Sequence, residues 1–280
     1  MRIFHYTSVN SLSLILESRR LRFSRLDRMD DIKEAQCHSG INFGKFLFAS
    51  CWTQEHVESI PQWSMYGQNM QGVRIELPEY PFDEIPMVSP KAWTGIHIQD
   101  GLTAPLPFEA FFGKNYFLVP MFYPRRNFAG TVNYTSDVKS AYSQAVSREI
   151  STDGSSATVR IGNLPGLSFL KSKDWEFQKE YRFSLFALPS KELSIHSTAD
   201  AEYFGDFSKK ISNAFINNAD QEIDFIDLPL SSKSIKDLVV RTGPLTTDSQ
   251  KSSVKAIVSR LAPEARVEES ELSGAIRQRK

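Results

Sequence analysis

The stretch that most limits what this chain can become is FLFASCW, Phe46 to Trp52, an apolar run interrupted only by Ser50 and flanked by polar residues. Such a run has no polar side to turn toward water. It reads as a strand covered on both faces, at the centre of a sheet.

Other segments supply the neighbours. Val73 to Leu77 alternates apolar residues with Arg74 and Glu76, as a strand buried on one face does. The clearest alternation runs from Trp175 through Leu185. Shorter strands are expected at Leu21 to Ser24, Phe117 to Tyr123, Leu238 to Arg241 and Arg266 to Glu269. Helical spacing marks a segment capped by Thr7 or Ser8 and ending near Ser18, then Ser136 to Ile150, Ser249 to Leu261 and part of Ser197 to Ala214. The charged run RLDRMDDIKE reads as loop or irregular helix, and the Pro- and aromatic-rich Pro78 to Gly113 as loops with short strands. Strands outnumber helices and do not alternate with them. The expected fold class is therefore mixed α+β: a mainly antiparallel central sheet with flanking helices, in one domain over residues 1–280. The polar STDGSSATVRIGN predicts a mobile loop or insertion around 150–166.

With 280 residues, 41% of them hydrophobic and 12% aromatic, the chain has the composition of a globular protein with a large core. Lys plus Arg and Asp plus Glu both number 33, so the electrostatic footprint of an obligate nucleic-acid binder is missing. The basic patches RRLR, YPRR and RQRK are short. No apolar run is long enough to cross a bilayer, and MRIFHYTS lacks the layout of a secretory signal, so a cytoplasmic protein without membrane contact is expected. Cys37 and Cys51 are too far apart for a metal hook and read as reduced core thiols. The motifs of P-loop nucleotide binding, dinucleotide binding, zinc proteolysis and nucleophile-elbow hydrolysis are all absent.

Three constellations can carry chemistry. In WEFQKEYRFSL, strand alternation puts Glu176, Gln178, Glu180 and Arg182 on one face, opposite Trp175, Phe177, Tyr181, Phe183 and Leu185. That face is either solvated or turned to a cleft. In a cleft, the Glu180 carboxylate can bind a ribose hydroxyl and stabilise an oxocarbenium-like sugar, and the Gln178 amide can orient an acceptor. The second constellation is His5, Tyr6 and Thr7, where a strand meets a helix N-terminus. These are core residues and a helix cap, or else a place for a base, a ribose hydroxyl and an anion. The third is WSMYG, with Trp63 and Tyr66 three apart, which suits either core packing or a flat ligand. The carboxylates Asp30, Asp31 and Glu34 lack calcium-loop spacing and clustered His, so a solvated loop and no metal site are expected there.

The ordered stretches HYTSVNSLSLILESRRLRFS, MDDIKE, FASCWTQE, WSMYGQNMQGVRIEL, WEFQKEYRFSL and VVRTGP resemble the bacterial domain of unknown function family 2971 over about His5 to Glu269. The acidic loop of that family is Asn-Asp-Pro-x-Glu, against Asp30, Asp31, Ile32, Lys33 and Glu34 here. Its late motif is Trp-x-x-Glu-x-Glu-x-Arg; Trp175, Glu180 and Arg182 match it, while Gln178 replaces the first Glu. The layout is also similar to the ADP-ribosyltransferase superfamily. That resemblance implies an ADP-ribosyltransferase-like fold with NAD as substrate. In it Glu180 would be catalytic, Gln178 would orient the acceptor, and His5 would hold the adenosine-side ribose. Tyr6 and Thr7 would flank the nicotinamide site, with Tyr66 or Trp63 stacking on nicotinamide.

The expected function is thus mono-ADP-ribosyl transfer from NAD to a macromolecular acceptor, protein or nucleic acid, as in a toxin or phage-defence effector. The alternatives are a non-catalytic nucleotide-binding or sensor module, and a protein-interaction module using the aromatic Pro78 to Gly113 region.

Overall fold

The computed structural model describes residues 1–34, 37–38, 40–93, 97–150, 157–205 and 207–277. The chain opens with strand β1 (Arg2–Thr7) and helix α1 (Val9–Ser18). Ser8 caps α1 by accepting the Ser11 N–H on its hydroxyl, and Arg19, at φ 52°, ends it in the left-handed conformation. Strand β2 (Arg20–Arg25) runs back along the helix, and strand β3 (Leu47–Thr53) holds the apolar run. Helix α2 (Ile60–Met65) and strand β4 (Val73–Pro78) follow.

Eleven strands among the described residues join one sheet. From one end, its main path is Arg266–Glu269, Val239–Thr242, β4, β1, β3, Glu180–Pro189, Tyr116–Val119 and Phe112–Gly113. Every pairing along this path is antiparallel except that of Val239–Thr242 with Arg266–Glu269. The fold is mixed α+β with a mainly antiparallel sheet. FLFASCW lies near its middle, where every residue of β3 except Cys51 is buried.

Alternate residues of the same strands feed two apolar cores. Tyr181, Phe183, Leu185 and Ala187 join Phe48 and Trp52 in the larger one. Phe186 and Leu188 join Leu47, Ala49, Tyr142 and Phe215 in the other. A large apolar side chain buried in this way contributes roughly 1.5–3 kcal/mol. The Pro78 to Gly113 region belongs to the larger core, since Phe82, Trp93, Phe108, Phe111 and Phe112 are buried in it. These five aromatic side chains pack inward.

Several elements differ from the sequence reading. The strand expected from Trp175 begins only at Glu180, because Lys173–Gln178 forms a 3-10 turn. Lys179, the residue that broke the alternation, has φ 45° and turns the backbone into the strand. The helix expected to Ile150 ends at Ala145, and Val146–Ile150 pairs with Ala157–Ile161 as a hairpin, in keeping with its β-branched ends. Residues 151–156 of the expected mobile loop lie outside the described residues. The strand from Tyr116 stops at Val119 because Pro120 has no N–H to give the ladder. Cys37 is exposed and Cys51 half-buried, both as free thiols, so only one sits near the core.

Candidate functional site

The site begins with a gap in the sheet. One edge of β3 is shared by two strands: β2 covers it at Phe48 and Ala49, and β1 touches it at the single pair Phe4 and Thr53. Between them the backbone edge of Ser50 to Trp52 is left to other partners, and α1 spans the gap because it links β1 to β2. His5 fills part of the gap, its Nδ1–H donating to the Cys51 carbonyl at 2.8 Å. A carbonyl can only accept, so the proton is on Nδ1. Burial lowers the imidazole pKa against the raising effect of that hydrogen bond, which leaves the ring neutral with Nε2 as an acceptor.

Two cavities open on this gap, one of about 380 Å³ and one of about 220 Å³. They share His5, Ser24, Met29, Cys51 and Trp52, so they are two chambers of one cleft. The larger is walled mostly by α1, β2 and β3. The smaller carries the chemistry.

Glu180 and Lys171 line the smaller chamber, with Lys171 Nζ 2.8 Å from Glu180 Oε2. Behind them, Arg182 is fully buried and its Nε pairs with Glu180 Oε1. Arg182 also reaches Glu34 Oε2 at 2.7 Å and donates to the Ser168 carbonyl at 2.7 Å. Two carboxylates thus face two cations. Burial alone pushes the Glu180 carboxyl up, but Arg182 and Lys171 outweigh it and hold the pKa at about 2. For Glu34 burial wins, and its pKa is raised in spite of Arg182. Burial also raises the Cys51 thiol, with the Glu180 charge beside it adding to the effect, so Cys51 is no thiolate nucleophile.

A second arm enters from α2. Gln178 Nε2 donates to the Tyr66 hydroxyl at 2.6 Å, and Tyr66 donates to Asp30 Oδ2 at 3.0 Å. Gln62 Nε2 donates to the Gln178 carbonyl at 3.0 Å. The Asp30 carboxylate can only accept, so Tyr66 spends its proton there and needs a donor on its oxygen. That fixes the Gln178 amide and leaves its buried Oε1 without a partner.

The structure brings His5, Tyr6, Tyr66, Gln178 and Glu180 to the wall of the smaller chamber and Thr7 to the larger. Trp63 is not there. It is fully buried, packs edge-on to Tyr6 at 4.9 Å, and donates its indole N–H to Glu58 at 2.8 Å. Tyr66, at the C-cap of the short α2, reaches the chamber instead. The polar residues that remain on the late strand, Glu180 and Arg182, are not solvated either but buried. Nor is the acidic run a solvated loop. Asp31 accepts from the Ser172 and Lys33 backbone N–H groups, and Glu34 pairs with Arg182. The sequence reading missed Lys171, for which no local pattern spoke, and Asp30, whose place in MDDIKE was the available signal.

Among the described residues no group of three or more His, Cys, Asp or Glu could hold a metal ion, and no helix is long and apolar enough to cross a membrane. Compared with known proteins, the chain matches no family model, no curated protein and no solved structure.

Proposed function

We propose that the cleft binds NAD and transfers its ADP-ribosyl group to a nucleophilic acceptor. One observation carries this reading: His5, Tyr66, Gln178 and Glu180, drawn from three separate segments of the chain, wall one chamber, with an ionised carboxylate among them. In the step proposed, the glycosidic C–N bond breaks and nicotinamide leaves with the bonding pair. The acceptor bonds the anomeric carbon and gives up its proton to solvent water. Glu180 stabilises the positive charge that develops on the sugar, the His5 Nε2 acceptor takes a ribose hydroxyl, Tyr66 offers a ring, and Gln178 orients the acceptor. The neutral formal charge of the chain favours neither protein nor nucleic acid as acceptor.

A second reading has its own support. Both oxygens of Glu180 are already engaged, by Lys171 and by Arg182, which suits a module that binds a nucleotide and leaves it intact. Nicotinamide release from NAD, with bacterial lysate or nucleic acid as acceptor, separates the two when wild type is compared with Glu180→Gln shown folded by circular dichroism. Release by wild type that vanishes in the folded variant supports transfer. NAD-induced thermal stabilisation without release, in both proteins, supports the binding module.

A further inference from the structure

We propose that Lys171 is a resident cation on Glu180, standing where the positive group of a ligand docks, and that ligand entry swings it toward Trp175. The inference rests on the proposed function only in placing the ligand in this chamber. The pair is asymmetric. Arg182 and Glu34 lie behind the wall, fully buried, whereas Lys171 and Glu180 both line the chamber. Arg182 Nε pairs with Glu180 Oε1 and Arg182 Nη2 makes a longer contact to Oε2, at 3.3 Å, so Oε2, 2.8 Å from Lys171 Nζ, is the less committed oxygen and the one an incoming cation can share. With two carboxylates matched by two cations, the wall has no net charge to attract a cationic ligand. Displacing the Lys171 ammonium exposes one negative charge on a buried carboxylate, where it acts on a cation in contact.

Lys171 already has a second partner to hold it when it leaves Glu180. Its Nζ is 5.2 Å from the centroid of the half-buried Trp175 ring, within cation–π range, on the turn that precedes Gln178. A lysine suits this part better than an arginine, being a compact charge on a flexible stem. Beside the pair, Gln178 Oε1 is a nine-tenths buried acceptor lacking a donor, which a ligand amide N–H would satisfy. The ligand class is therefore a small organic monocation with an N–H donor; in our reading of function it is the pyridinium end of NAD.

The test uses N-methylnicotinamide, a permanent pyridinium, and nicotinamide, its neutral counterpart, in calorimetric titrations of the whole protein. Lys171→Met should bind the pyridinium at least about tenfold more tightly than wild type, a difference of about 1.4 kcal/mol. Nicotinamide affinity should change less than about twofold, and Lys171→Arg, which keeps the charge on a less readily displaced group, should bind the pyridinium no more tightly than wild type. Equal or weaker pyridinium binding by Lys171→Met overturns the proposal, as does equal tightening of both probes. Trp175→Ala covers the case in which Lys171→Met does not fold: about threefold weaker pyridinium binding supports displacement toward the ring, and unchanged binding overturns it. Tighter pyridinium binding by Lys171→Met, with no nicotinamide release from NAD by any variant, keeps the cation site and removes glycosyl transfer.

Discussion

Gln178 and Tyr66, 112 residues apart in sequence, are joined by a 2.6 Å hydrogen bond that passes on through the Tyr66 hydroxyl to Asp30. Three segments thereby set the orientation of one amide. Tyr66→Phe removes the link and leaves Gln178 Nε2 without its acceptor. The expected cost is about 1–3 kcal/mol in urea unfolding, together with weaker NAD binding in calorimetry. Unchanged binding and unchanged stability would show that the ring, which Phe retains, and not the hydroxyl relay, is what matters.

Glu180 holds two buried ion pairs, so Glu180→Gln strips Lys171 and Arg182 of their shared anion. Breaking buried pairs in this way costs about 3–5 kcal/mol. Urea midpoints should fall accordingly at pH 7, and a shift no larger than that of an exposed charge reversal would mean the pairs are loose in solution.

The same carboxylate sets an acid limb. Its pKa is held at about 2 in the fold, against 4.5 for an ordinary glutamate. The folded state thus gives up this proton more readily than the unfolded state. The stabilisation is fully present above pH 4.5 and is lost as pH falls toward 2. Glu34, whose pKa is raised, works in the opposite sense. Between pH 7 and pH 3 wild type should lose more stability than Glu180→Gln, and parallel losses would deny Glu180 its part in acid unfolding.

Trp63 is expected to act through packing alone. Its partner Glu58 also accepts from Arg241, the Ser270 hydroxyl and the Glu271 backbone N–H, so one buried carboxylate pins α2 to the segment after the last strand. Trp63→Phe should cost about 1–3 kcal/mol through the unpaired Glu58 oxygen and lost volume, with NAD affinity unchanged within about twofold. Selective loss of affinity would return Trp63 to the ligand.

Gly72 lies where β4 begins, and a Cβ there would overlap the Thr7 carbonyl and the Gly67 backbone. Backbone atoms have little room to yield. Gly72→Ala should destabilise by about 1–3 kcal/mol and disturb the join between β1 and β4. A thermal midpoint equal to that of wild type would show that the two strands separate at little cost.

Much of the fold was legible because it is local. FLFASCW had to be covered on both faces, Ser8 stood ready to cap α1, and Ser249 to Leu261 carry helical spacing. Glu180, Gln178, His5 and Tyr66 were singled out by residue type and spacing, and the cavity they share lies at a gap where β1 and β2 divide one edge of β3. No periodicity encodes such a gap. Nor could alternation tell a solvated face from a buried one, since the partner of Arg182 is Glu34, 148 residues away, and Lys171 reaches Glu180 across a turn that interrupts the expected strand. The sequence by itself determined where the strongly periodic strands and helices form, because their hydrogen bonds and periods close within a few residues. Tertiary structure decided which polar side chains lost their water, because burial and ion pairing depend on what the rest of the chain lays over them.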